Sequence, residues 1–181
     1  MALAVVQVQA GVHVSSGEVK EVQVALQVSD GQYVTADPPG LLALSYTKKV
    51  GSKQRFTIID LNGGKLADGD EVRIRYTPNK NGKPDPSKES YWREGKEGIT
   101  RAHQDGTFTI KKMGNRYAFR GPSGKFVTPN EVNGALAVSS KVEEALVVDV
   151  IDLSAPTTSA APDKPSAEQA ASSSSDGGSS E

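Results

Sequence analysis

Residues able to do covalent or metal chemistry are few and scattered. The 181-residue chain has no cysteine and only two histidines, His13 and His103. Thiol catalysis, disulfides and thiolate metal sites are therefore excluded. Neither histidine belongs to a His-Glu-x-x-His or other ligand spacing. His103 precedes the turn Gln104-Asp105-Gly106 and reads as a solvated side chain. Asp60–Glu71 places oxygens at positions one, three, nine and twelve of a calcium-type loop, but Lys65 stands where the sixth-position glycine belongs. No carboxylate occupies the fifth position, so a tight connection between strands explains the stretch better. No phosphate loop, nucleophile elbow or dinucleotide fingerprint is present. The chain reads as non-catalytic, with no cofactor and no metal.

What remains is charge. The net charge is −1, but it is unevenly spread. Residues 1–71 carry −2, residues 72–125 carry +8, residues 126–153 carry −4 and the remainder −3. Such asymmetry bears on partners rather than on fold. The candidate partner-binding residues are Trp92, Arg93, Lys96, Lys111, Lys112, Arg116, Arg120 and Lys125. Lys80, Lys83, Lys88 and Arg101 add to the basic excess. These cations suit an acidic protein surface, an anionic glycan or phosphates; the competing explanation is a solvated face. An RNA reading finds no aromatic–basic motif of the recognised modules. Trp92 follows the aromatic Tyr91 on a strand, and alternation turns it away from Tyr91. Two readings stay open for it: an exposed stacking platform or interface anchor beside Arg93, or a side chain packed beneath the loop Thr77–Glu89.

The elements that must carry these residues are strands. Large apolar residues take every second place in Val22–Val28; Val72, Ile74 and Tyr76 alternate with Arg73 and Arg75; Phe108 and Ile110 alternate with Thr109 and Lys111. Turn signals separate the runs, among them Ser29-Asp30-Gly31, Asn62-Gly63-Gly64 and Gly121-Pro122-Ser123-Gly124. Leu26–Asp37 matches Phe119–Asn130 at a spacing of 93, aligning Tyr33 with Phe126 and Val34 with Val127. Phe56–Leu61 matches Val148–Leu153. A degraded middle copy holds Val72–Tyr76, Ser90–Arg93, Gly98–Ala102 and Phe108–Lys111, with Thr77–Glu89 inserted. Three copies of four strands predict an all-β fold, a single β-trefoil over residues 22–153. Residues 1–21 read as an N-terminal β extension containing Val5, Val6, Val8, Val12 and Val14. Residues 154–181, with nine serines and no aromatic, read as a disordered Ser/Ala-rich tail. Tyr33, Tyr91 and Phe126 are expected to form one core layer.

The pattern of apolar strand, Gly-x-aromatic-apolar-Thr, small-residue strand and aromatic-x-apolar resembles the fascin-type β-trefoil. It is carried by Gly31-Gln32-Tyr33-Val34-Thr35-Ala36, by Arg55-Phe56-Thr57-Ile58 and by Gly124-Lys125-Phe126-Val127-Thr128. Fibroblast-growth-factor-like and other trefoils share this core logic; the Gln-x-Trp signature of ricin-type lectins is missing. The second copy departs from the pattern, with Glu89-Ser90-Tyr91 in place of a glycine before the aromatic. Fascins bundle actin filaments with several trefoils in one chain, whereas this chain has one. The resemblance implies a protein-interaction module with actin as partner. The matching positions are core positions, so they transfer fold and no binding residue.

Two alternatives stand beside that function. One is a non-catalytic glycan binder using Trp92 and nearby cations. The other is a protease inhibitor presenting Thr77–Pro86 as a loop. No run approaches the roughly 20 apolar residues of a membrane span. The short apolar N-terminus lacks a basic leader, so a cytoplasmic location is expected.

Overall fold

The computed structural model describes residues 18–96 and 98–154. The N-terminal segment 1–17, including His13 and the five valines read as strand-like, lies outside the described residues. So do Glu97 and residues 155–181, which hold nearly all of the segment read as a tail.

The described chain is all-β, with three single-turn 3-10 segments and no α-helix. Its strands follow the repeat seen in the sequence. The first copy supplies β1 (Lys20–Val28), β2 (Gln32–Thr35), β3 (Ala43–Tyr46) and β4 (Phe56–Asp60). The second supplies β5 (Glu71–Tyr76), the short pair β6 (Asn79–Lys80) and β7 (Lys83–Pro84), then β8 (Ser90–Glu94), β9 (Ile99–Ala102) and β10 (Phe108–Met113). The third supplies β11 (Arg116–Arg120), β12 (Phe126–Pro129), β13 (Leu136–Ser139) and β14 (Val148–Asp152). β1 begins at Lys20, inside the stretch assigned to an extension.

Six strands close a barrel. β1 pairs with β4, β4 with β5, β5 with β10, β10 with β11, β11 with β14, and β14 returns to β1, all antiparallel. Closure removes the unpaired strand edges that an open sheet would expose. The hairpins β2–β3, β8–β9 and β12–β13 hang from β1, β5 and β11. They meet over one end of the barrel: Arg101 N donates to Gly40 O at 2.9 Å, Leu44 N to Gly134 O at 2.9 Å and Leu136 N to Leu42 O at 2.9 Å. Gly98 has φ +143, and a Cβ there would stand 2.4 Å from the Leu136 carbonyl oxygen. Only glycine allows β9 and β13 to approach this closely.

The core explains why alternation reads so clearly. In β5, Val72, Ile74 and Tyr76 are buried while Arg73 and Arg75 lie on the other face. Equivalent positions of the three copies are buried together: Leu26, Ile74 and Phe119; Val34, Trp92 and Val127; Leu42, Ile99 and Leu136; Phe56, Phe108 and Val148. The expected core layer of Tyr33, Tyr91 and Phe126 is corrected, because all three are only half-buried. The residue after each aromatic points inward instead. Register fixes this: Tyr33, Tyr91 and Phe126 stand opposite Gln27, Arg75 and Arg120, polar residues on the outer face of the barrel strands.

Candidate functional site

Trp92 belongs to the interior. It is fully buried on β8, and its ring meets Phe56, Phe108 and Phe119 edge-on at centroid distances of 5.7, 6.2 and 5.7 Å. These are favoured tilted arrangements of aromatic quadrupoles. Its indole Nε1 finds no hydrogen-bond acceptor among the described residues. The expectation that Trp92 and Arg93 share one surface is therefore overturned. Adjacent residues on a strand point to opposite faces, and the charged Arg93 takes the solvent side. Trp92 anchors the hairpin onto the barrel; it is no stacking platform.

The predicted cations divide by where β8, β10 and β11 place them. Arg93 and Lys96 are exposed on the β8–β9 hairpin and border a shallow groove of about 620 Å³ whose far wall is Pro122 and Ser123. Glu94 ties the two walls together: its carboxylate accepts hydrogen bonds from Ser123 N at 3.0 Å and from Ser123 Oγ. Arg93 donates to Gln104 Oε1 at 3.1 Å. Across the turn Gly121–Lys125, closed by Gly121 N donating to Lys125 O at 2.8 Å, lies a second cluster. There Lys111 and Arg120 flank a smaller depression with Asp68 and Phe126. Lys125 sits on the intervening turn and is exposed.

Asp68 moderates that second cluster. It accepts from the Lys112 backbone amide at 2.8 Å and from Lys111 Nζ at 3.2 Å. The Lys112 amide first, then the Lys111 ammonium, hold its carboxyl below the ordinary value of 3.8. In the sequence Asp68 counted only as the ninth-position oxygen of the calcium-type loop, not as a partner of Lys111. It lies 43 residues from Lys111, and only the β10 fold-back brings them together.

Two further predicted cations leave the group. Arg116 is half-buried, donates from Nη2 to Val147 O at 2.6 Å and stands 3.3 Å from Asp149. It clamps β11 to β14. Lys112 follows Lys111 on β10 and so takes the opposite side of the strand, level with Tyr117 at the barrel end away from the hairpins. The face that remains holds Arg93, Lys96, Lys111, Arg120 and Lys125, set against the carboxylates of Glu94 and Asp68.

The remaining sequence candidates take structural positions. Asp60 caps the start of its turn by accepting from Asn62 N at 2.9 Å and Gly63 N at 3.1 Å, and Asn62 Oδ1 accepts from Glu71 N at 2.6 Å. The stretch once compared with a calcium loop thus spends these oxygens on its own backbone. No group of three metal-ligating side chains occurs among the described residues. His103 is exposed, with Nδ1 3.0 Å from the Glu89 carbonyl. The Thr77–Glu89 insertion folds into the β6–β7 ribbon, with Asn81 at φ 53 and Gly82 at φ 77. Positive φ at both central residues is the type I′ hairpin turn, for which Asn-Gly is the preferred pair. Asn81-Gly82 therefore closes this loop tightly. No helix among the described residues is long and apolar enough to cross a membrane.

No protein-family model matches the chain. No curated protein matches it at a significant level.

Proposed function

We propose that this chain is a β-trefoil of the fascin type and serves as a non-catalytic module that docks an acidic protein surface. The threefold recurrence of ring strand, hairpin and core residue supports the trefoil assignment. One observation carries the functional reading: five exposed cations, Arg93, Lys96, Lys111, Arg120 and Lys125, lie around one turn, with the carboxylates of Glu94 and Asp68 among them in the described residues. Lattices of like charge steer an oppositely charged partner and raise the rate of encounter. The fascin resemblance supports the actin filament as that partner, and with it the reading of a cytoplasmic location. Burial of Trp92 removes the ring on which a glycan reading depended, and the tight β6–β7 hairpin is a poor mimic of an extended inhibitory loop.

Co-sedimentation with actin filaments tests the reading. Wild-type protein is expected in the pellet at low salt and progressively less as salt rises, because exposed charges are screened over about 8–10 Å at physiological ionic strength. The triple variant Arg93→Glu/Lys96→Glu/Lys125→Glu, checked for an unchanged far-ultraviolet circular dichroism spectrum, is expected in the supernatant. Equal pelleting of both proteins would exclude this face as the docking surface.

A further inference from the structure

Among the described residues, the end of the barrel away from the hairpins holds an open cavity. A cavity of about 240 Å³ opens there between the start of β1, the ends of β4 and β14, and the Gly64–Leu66 connection. That volume equals roughly eight liquid waters at about 30 Å³ each. Its walls are apolar, formed by Val22, Val24, Ile58, Leu66, Tyr117 and Val150. Two carboxylates line it as well, Asp60 and Asp152.

Asp60 is the unusual member. It is 3% exposed, and its Oδ1 is committed to the Asn62 and Gly63 amides. Its Oδ2 is buried with no hydrogen-bond partner among the described residues. A buried carboxylate oxygen without a donor is costly, and such groups mark a missing water, ion or ligand. Lys20 stands directly opposite Asp60 across the β1–β4 ladder, yet its ammonium turns to the Gly64 carbonyl at 3.3 Å.

We infer that this cavity is a binding site for a small primary ammonium on a compact apolar body of about six to eight non-hydrogen atoms. The ammonium supplies the donor that Asp60 Oδ2 lacks, and a charge-assisted bond to a buried carboxylate is stronger than a neutral one. The Tyr117 ring adds a surface attractive to cations, and the valine, isoleucine and leucine walls take the hydrocarbon. An anionic ligand of the same size meets Asp60 and Asp152 instead. Lys20 and Lys65 also border the cavity, but both are exposed. Solvent therefore screens them more strongly than the largely buried Asp60.

The test is a titration of the isotopically labelled full chain with n-hexylammonium, followed by amide chemical shifts, with hexanoate as the matched anion. Hexylammonium should give saturable shifts at Val22, Val24, Ile58, Leu66 and Val150, with a dissociation constant on the order of 1 mM. Hexanoate should give none there. Asp60→Asn keeps the turn-capping Oδ1 acceptor and replaces Oδ2 by a donor; it should weaken binding by about tenfold or more. Leu66→Phe narrows the cavity at a half-buried position and should abolish the shifts, which keeps the question decidable if Asp60→Asn does not fold. Absence of saturable shifts in the wild type would overturn the inference. Equal or tighter binding of hexanoate, or undiminished binding by the variants, would do the same.

Discussion

Replacing Trp92 by alanine and by phenylalanine separates what the ring contributes by size from what its indole N–H costs. Trp92 is fully buried, in edge-on contact with Phe56, Phe108 and Phe119. Truncation to alanine removes roughly 200 Å² of apolar burial and leaves a cavity, and such changes cost about 3–5 kcal/mol. Loss of three aromatic contacts puts the expectation at the upper end of that range. Phenylalanine retains most of the contact. It gives up roughly 40 Å³, worth about 1 kcal/mol at ~24 cal/mol per Å³. It also removes the indole Nε1, which is buried without an acceptor among the described residues and whose burial costs about 1–3 kcal/mol. The two terms oppose each other, so Trp92→Phe should lie within about 1–2 kcal/mol of wild type. Urea unfolding followed by far-ultraviolet circular dichroism measures all three proteins, since Trp92 is the only tryptophan and fluorescence would vanish with it. A cost below about 1 kcal/mol for Trp92→Ala, the size typical of surface sites, would refute the packing described for the hairpin.

Gly98→Ala should destabilise the protein by about 2–4 kcal/mol in the same urea experiment, because its Cβ would overlap the Leu136 carbonyl and its φ of +143 strains any side chain; a neutral result would mean that β9 and β13 are not in contact. Tyr33→Ala should cost clearly less than Trp92→Ala, since Tyr33 is half-buried, and a larger loss would restore it to the core. The carboxyls of Asp68 and Glu144 are both held below their ordinary values, Asp68 by the Lys112 amide and Lys111, Glu144 by Lys141 and Ser139. Their contributions to stability are therefore complete above the unfolded-state values near pH 4 and disappear as pH falls through the lower folded values. Carboxyl resonances followed by pH titration should show both titrating late in acid, and a midpoint for Asp68 at or above 3.8 would contradict the Lys111 pairing.

Periodicity made the strand content legible, and the 93-residue self-match aligned equivalent positions of the first and third copies, such as Phe56 with Val148. Orientation was harder to read. Tyr33-Val34, Tyr91-Trp92 and Phe126-Val127 each place two apolar residues side by side, so alternation alone does not say which one faces inward. The discriminating signal stood one residue further on. Arg93 shares a strand face with Tyr91, and a charge on that face marks it as the outer one. Charge does not separate Lys111 from Lys112; alternation does, since Lys112 shares the parity of the buried Phe108 and Ile110 and Lys111 does not. The pairing of Asp68 with Lys111, the clamp of Arg116 on Val147 and Asp149, and the unpartnered oxygen of Asp60 depend on strand register, which couples residues distant in sequence.

Association kinetics on immobilised actin filaments, measured across a salt series, probe the docking face most directly. Lys111→Glu and Arg120→Glu should each lower the association rate and flatten its dependence on salt, because steering acts before contact. Lys112→Glu, on the other side of β10, should leave the rate near that of wild type. Binding that is insensitive to salt and unchanged by Lys111→Glu and Arg120→Glu would contradict the account and reduce the cationic face to solvated surface.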